Sequence, residues 1–276
     1  MEGKLFTYDS ESRYVAFESN SSLPNKTIFI PGLTDGLNAL PYLPLLTQQL
    51  ASIGYSLIQP ILPSSYLQYG ISSLSNDCKY IDKLIKHVLD TSSVGTLVLI
   101  GHSTGCQQIL YYMKHGEYTE RISAVVLQGA VSDREFFMWD NSDQTTKYVH
   151  LAKSLNVHDL LPRDVDIAPM TAGRYLSLAT RLGLDDMFSS DLTDAELINI
   201  FSGLGAGVNV GICFSGADEY VPPSVDPKML LQRWTKSTKE GVNVAAVIIP
   251  DADHELSTQE AQEAFCKHVL QILTEA

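Results

Sequence analysis

The sequence predicts a doubly wound α/β fold, a mostly parallel sheet with helices on both faces, broken once by a helical insertion. Three observations carry this. Six short runs rich in Val, Ile and Leu recur along the chain, and most are continuously apolar, as strands covered on both faces must be. Between them stand stretches whose apolar residues repeat at helical spacing, and strand, helix, strand in repetition implies right-handed crossovers. One long interval, residues 132–206, holds helix-like segments and no convincing strand. The expected organisation is a core of residues 1–131 and 207–276 around an inserted cap of residues 132–206.

The elements follow in order. "YVAF" (14–17) suits an antiparallel edge strand, and "KTIFIP" (26–31) and "YSLIQP" (55–60) are the first parallel strands. Residues 40–53 place Leu40, Leu43, Leu46 and Leu50 at helical spacing. Residues 77–89 put Ile81, Leu84, Ile85 and Val88 on one helix face and His87 on the other. "GTLVLIG" (95–101) and "ISAVVLQG" (122–129) flank a helix over 105–115. The insertion then offers helices in "TTKYVHLAKSLN" (145–156), "TAGRYLSLATRLG" (171–183) and "LTDAELINIFSGLG" (192–205). It is too long for an ordinary connection and reads as a lid over the C-terminal edge of the sheet. "VNVGICFSG" (208–216), "VNVAAVIIP" (242–250) and a helix over 257–274 close the chain.

Composition narrows the function. With 45% hydrophobic and 18% charged residues, the 276-residue chain can bury a sizeable core. A net charge of −13 and the lack of a basic run argue against nucleic acid or an anionic lipid surface as partner. No stretch suits a signal peptide or a membrane span. Cys78, Cys106, Cys213 and Cys266 lack C-x-x-C spacing and are expected as buried, reduced thiols of a cytoplasmic protein. The formal sequons at Asn20 and Asn25 are then chance matches.

The chemistry centres on "LVLIGHSTGCQQILYYM" (97–113), an apolar strand that runs through a Gly-His-Ser-Thr-Gly turn into a helix. Such a turn lifts the Ser103 hydroxyl clear of the backbone, with Gly101 and Gly105 relieving the crowding. The Thr104 amide, at the helix N-terminus, is placed to donate to an oxyanion. A serine hydroxyl needs a base, and His254 in "VIIPDADHELS" stands just past the last strand. His102 adjoins the nucleophile and is expected to point away from its Oγ; His87, His115, His150, His158 and His268 fall in helix-like stretches. A carboxylate must orient the base, and "CFSGADEYVPP" supplies Asp218 after a strand, with Glu219 the less favoured neighbour. Asp251 and Asp253 read as turn formers. The chain order Ser103, Asp218, His254 is that of a nucleophile-elbow hydrolase.

On these residues the chain resembles the α/β-hydrolases from about residue 13 to 275. Its phrases "GLTDGL", "GHSTGCQ", "DDMFSSDL" and "DEYVP" are similar to those of a fungal and plant family whose best-understood kind of member is the fungal siderophore esterase. The resemblance implies a cytoplasmic serine esterase, without cofactor or metal, acting on a small-molecule ester such as a fusarinine-type siderophore. Many hydrolases carry His-Gly in the loop after the early strand. This chain has Pro31-Gly32, and since proline has no amide hydrogen the second oxyanion donor is expected from Leu33.

Substrate contacts are expected from Asp35, Trp139, Met170 and Tyr175, with Met138 and Met187 as further apolar candidates. Asp35 could instead start the next helix, the more frequent role of such a residue, and the apolar residues could pack the insertion onto its own domain. Arg163, Arg174 and Arg181 could receive an anionic substrate or stand as solvated helix-face charges. The expected reaction is attack by Ser103 on an ester carbonyl, followed by hydrolysis of the acyl-enzyme. The same triad could serve a thioester, lactone or amide, and the same fold a ligand-binding protein without catalysis.

Overall fold

A computed structural model describes residues 1–274. Eight strands form one sheet in the order β1-β2-β4-β3-β5-β6-β7-β8. They are β1 (Lys4–Asp9), β2 (Tyr14–Ser19), β3 (Asn25–Ile30), β4 (Tyr55–Pro60), β5 (Leu97–His102), β6 (Ile122–Gln128), β7 (Asn209–Ser215) and β8 (Asn243–Ile249). β1 pairs antiparallel with β2, and β2 with β4; every later pairing is parallel. The mostly parallel sheet is therefore the expected one. The antiparallel segment at 14–17 belongs to β2, which lies one strand in; the edge itself is β1, a run exposed at its start and buried at its end, absent from the continuously apolar pattern.

Helices cover both faces. On one side α1 (Leu43–Ser52) and α8 (Gln259–Thr274) bury Leu43, Leu46, Phe265 and Val269 against Phe29, Val98 and Val126. On the other, α2 (Leu74–Thr91), α3 (Thr104–His115) and α7 (Pro227–Lys236) pack Ile81, Ile85, Ile109 and Trp234 on Ile28, Leu99 and Val125. Alternate side chains of one strand thus feed two cores, as the period of a strand requires. Each leucine-type spacing read from the sequence finds its buried face, although His87 stacks on Phe6 at 5.1 Å between ring centroids rather than facing water.

Between β6 and β7 the chain is helical: α4 (Asp133–Lys153), α5 (Ala172–Ala179) and α6 (Asp194–Phe201), with one isolated bridge between Leu160 and Thr171. α4 starts twelve residues before the expected segment. Its N-cap is Ser132, whose side chain accepts from the Glu135 N–H, and a kink at Asn141 (φ −153°) splits it, hiding one continuous period. His158 lies in a turn after α4, not in a helix. A third cluster, including Tyr148, Met170, Tyr175 and Leu178 with Tyr69, gives this segment its own packed interior.

Candidate active site

Ser103 sits between the end of β5 and the first residue of α3, at φ 53° and ψ −126°. This conformation is costly for a side-chain-bearing residue, of order ~1–3 kcal/mol, and persists only where surroundings enforce it. Here the Ser103 N–H donates to the Gln128 carbonyl at 3.0 Å, while the Ser103 carbonyl accepts from the Cys106 N–H at 2.9 Å. Gly105 lets α3 press on β3: a methyl there would lie 2.1 Å from the Ile30 carbonyl oxygen. The turn fits because Gly105 beneath it and Gly32 beside Ser103 carry no side chain.

His254 is nearly buried, and its Nδ1–H donates to Asp218 Oδ2 at 2.8 Å. The other carboxylate oxygen, Oδ1, accepts from the Tyr220 N–H at 3.0 Å, so Asp218 is held from its own loop. Burial pushes the His254 pKa down, but the Asp218 hydrogen bond and charge, aided by Glu219 and Asp133, hold it above the ordinary imidazole value. Gly129 (φ +61°) gives the ring room, since a methyl on it would come within 3.2 Å of His254 Cε1. Ser103 and His254 line the same cavity without a hydrogen bond between their side chains among the described residues. Contacts of this kind often tighten only when substrate binds.

Glu219, passed over as the orienting acid, acts on the main chain instead, where its Oε2 accepts from the His254 N–H at 3.0 Å. Asp253 is a turn former as expected, accepting from the Ser257 N–H at 2.7 Å. His102 is buried, turns its Nδ1 to Gln128 Oε1 at 2.6 Å, and still lines the cavity, its ring 4.7 Å from that of His254. Burial, reinforced by the neighbouring His254, pushes its pKa down to about 3.

The cavity holds about 460 Å³. Its floor comes from the sheet's loop ends: Gly32, Leu33, Thr34 and Asp35 after β3, His102 and Ser103 after β5, Val131 after β6, and Tyr220, His254 and Glu255 beyond β7 and β8. Its roof is Asp133, Phe136 and Phe137 of α4 together with Asp166 and Ile167, and Tyr69 donates a hydrogen bond to Asp166. Asp133 faces this space with its Oδ2 accepting from Gln107 Nε2 at 3.0 Å, and burial, then Asp185, raises its pKa to about 7.

The oxyanion candidates fare differently. Leu33 lines the cavity, and its N–H has no acceptor among the described residues. Thr104 is the first residue of α3, so its N–H has no intrahelical partner, but its side chain is buried and the residue does not line the cavity.

Of the expected substrate contacts, only Asp35 lines the cavity. No helix starts there, because α1 begins at Leu43; Asp35 Oδ2 instead accepts from the Gly32 N–H at 3.1 Å and braces the loop. Trp139 is 51% exposed and Met138 is exposed too, both in the run 138–144 that is exposed throughout; the Trp139 ring meets that of Phe136 at 6.1 Å. Met170 and Tyr175 are buried in the third cluster, where Tyr175 stacks on Phe137 at 6.2 Å. Packing won over lining because the insertion needs a core of its own. Phe136 and Phe137 occupy the places expected of these residues. Met187 packs against the main core. Arg174 is neither solvated nor free: buried, it pairs with Asp185 at 2.5 Å and donates from Nε to the Tyr69 carbonyl at 2.9 Å. Arg181 pairs with Glu196 at the surface, and Arg163 is exposed.

The chain is 30% identical to the fusarinine C esterase sidJ of Aspergillus fumigatus, covering 87% of this chain and 85% of the relative. It is 32% identical to a UPF0613 protein of Schizosaccharomyces pombe, over 97% of this chain and 95% of that one. Among solved structures, the siderophore hydrolase EstB from Aspergillus fumigatus superposes with a TM-score of 0.85 at 28% identity, covering 100% of this chain and 97% of the other. A monoglyceride lipase of Saccharomyces cerevisiae shares the fold at a TM-score of 0.67 and 14% identity, covering 99% and 95%. The fold is that of the α/β-hydrolases. The chain matches the model described as "Protein of unknown function (DUF1749)" over residues 1–274, and it belongs to that family.

Proposed function

We propose that the protein is a serine esterase that hydrolyses a carboxylic ester of a fusarinine-type siderophore. One observation carries the chemistry: a buried histidine, held by Asp218 at 2.8 Å, opens onto the same cavity as a serine in a strained strand-to-helix turn. His254 takes the proton from Ser103 as its Oγ attacks the ester carbonyl. Asp218 keeps the proton on Nδ1, leaving Nε2 as the base, and stabilises the imidazolium as it forms. The Leu33 and Thr104 amides donate to the tetrahedral oxyanion. His254 then protonates the departing alcohol, and water attacks the acyl-enzyme by the same steps in reverse.

The substrate class rests on the relatives, one named a fusarinine C esterase and another a siderophore hydrolase. In this reading residues 132–206 form a cap over a core of residues 1–131 and 207–276, and Phe136, Phe137 and Ile167 meet the acyl or alcohol portion. Four unpaired, buried cysteines favour a reducing, cytoplasmic setting. Among the described residues no helix is long and apolar enough to cross a membrane. The test is product release from a fusarinine-type ester by purified protein beside Ser103→Ala. The variant should lose activity by a factor on the order of 10⁶. Turnover of the ester by both proteins alike would overturn the proposal.

A further inference from the structure

Gln128, the last residue of β6, is fully buried behind the catalytic cavity, and both polar atoms of its amide are engaged. Chemistry fixes which atom is which. The His254 carbonyl can only accept, so the group 3.0 Å from it is the amide NH₂. The same NH₂ reaches Ser215 Oγ at 3.4 Å. The amide oxygen then faces the Tyr42 hydroxyl at 3.0 Å and His102 Nδ1 at 2.6 Å. An amide oxygen cannot donate, so His102 Nδ1 must carry the hydrogen. The backbone of Gln128 meanwhile holds the nucleophile, its carbonyl accepting from the Ser103 N–H at 3.0 Å.

His254 is thereby gripped at three points: its N–H by Glu219, its carbonyl by Gln128, and its ring by Asp218. We propose that Gln128 is a positioning residue, whose amide anchors the main chain of His254 and fixes on Nδ1 the single proton of the adjacent, buried His102. The inference rests on the triad reading given above. The two imidazoles stand 4.7 Å apart, centroid to centroid. A cation on His102 would oppose the imidazolium that His254 has to become during the reaction, because like charges disfavour each other's ionisation. A neutral amide oxygen invites that second charge less strongly than a carboxylate would, and a glutamine, unlike a carboxylate, also supplies the donor that the His254 carbonyl needs. Gln128 itself does not line the cavity.

The experiment pairs kinetics with a spectroscopic readout. Wild type, Gln128→Leu, Tyr42→Phe and Ser103→Ala are assayed on p-nitrophenyl butyrate, and long-range ¹H–¹⁵N spectra report the histidine tautomers. Gln128→Leu keeps similar bulk without hydrogen bonds; kcat should fall by about 10–100-fold, with KM within about threefold, as expected for a base held loosely rather than a lost binding contact. Tyr42→Phe removes the other donor to the same oxygen, leaves both histidine contacts, and should keep kcat within about threefold. Wild-type His102 should show the Nδ1–H tautomer from pH 6 to 8, and Gln128→Leu should release it. Wild-type kcat in Gln128→Leu beside an inactive Ser103→Ala would overturn the inference and leave the triad intact. A wild-type spectrum with His102 as Nε2–H or cationic in that range would overturn it even if Gln128→Leu failed to fold. Activity retained in Ser103→Ala would remove the reading beneath it, and the inference with it.

Discussion

Replacing Gly105 with alanine sets two effects of opposite sign against each other. Gly105 is the second residue of α3, and alanine in place of glycine within a helix ordinarily gains up to ~1 kcal/mol. At this position, however, the new methyl would fall 2.1 Å from the Ile30 carbonyl oxygen and 2.9 Å from the Pro31 oxygen. Both are main-chain atoms and cannot swing aside. Tolerable carbon–oxygen contact begins near ~3.3 Å, so the start of α3 must retreat from β3 by about 1 Å. Overpacking of this severity lies at the upper end of ~1–3 kcal/mol, which leaves a net loss of about 2 kcal/mol after the propensity gain. For a chain of this size that corresponds to a fall of roughly 4–8 °C in Tm. The retreat also carries Ser103 with it, and a misplacement of about 1 Å costs on the order of 10² in turnover. Thermal melts by circular dichroism and kcat/KM on an activated ester would be measured beside Gly205→Ala, where nothing lies within 4 Å of the added methyl. A Gly105→Ala protein indistinguishable from wild type in both would refute the close approach of helix and strand on which the elbow depends.

Other outcomes follow from the same geometry. The acid limb of kcat/KM should have its midpoint above 6.5, because Asp218 raises the pKa of the base and the base must be neutral to act; a midpoint below 6 would contradict this. Asp218→Asn should cost on the order of 10⁴ in kcat and move that limb downward, since burial then acts on His254 without its carboxylate. Arg174→Ala leaves Asp185 buried and unpaired, and should destabilise the fold by about 3–5 kcal/mol in urea unfolding, with partial recovery in the Arg174→Ala, Asp185→Ala double variant. Asp133 carries a folded-state pKa of about 7 against 3.8 for the free group, so its stabilising effect is complete below pH 3.8 and lost as pH rises through 7. Asp133→Asn should therefore gain in Tm relative to wild type between pH 4 and 8, and a difference that shrinks across that range would disprove the raised pKa.

Much of this was legible in the chain because the signals are local. Continuous apolar runs located the parallel strands to within one or two residues; burial on both faces imposes that composition on β3 to β7, and the half-exposed edge strand β8 shares it. Ser103 and His254 stood out by their position after strands, and the structure sets both against one cavity. β1 escaped because an edge strand with one wet face carries polar residues, as in "KLFTYD". The first half of α4 escaped because residues 138–144, around the kink at Asn141, are exposed throughout and carry no helical period; the Ser132-x-x-Glu135 start signal was present and would have found it. The substrate contacts expected of Met170 and Tyr175 failed for a different reason: apolar composition states that a side chain leaves water, not which interior it enters. Glu219 and Gln128 grip His254 from 35 and 126 residues away in sequence, and no pattern in one dimension encodes such meetings.

The split between floor and roof of the cavity has an evolutionary corollary. The groups proposed to break the bond stand at strand ends scattered along the chain, whereas Phe136, Phe137, Asp166 and Ile167 come from one contiguous stretch. Selection can therefore rewrite what is admitted by editing a single segment, with the reactive groups left untouched. Exchanging that segment between two relatives should transfer preference for one ester over another while the rate-limiting chemistry stays the recipient's own.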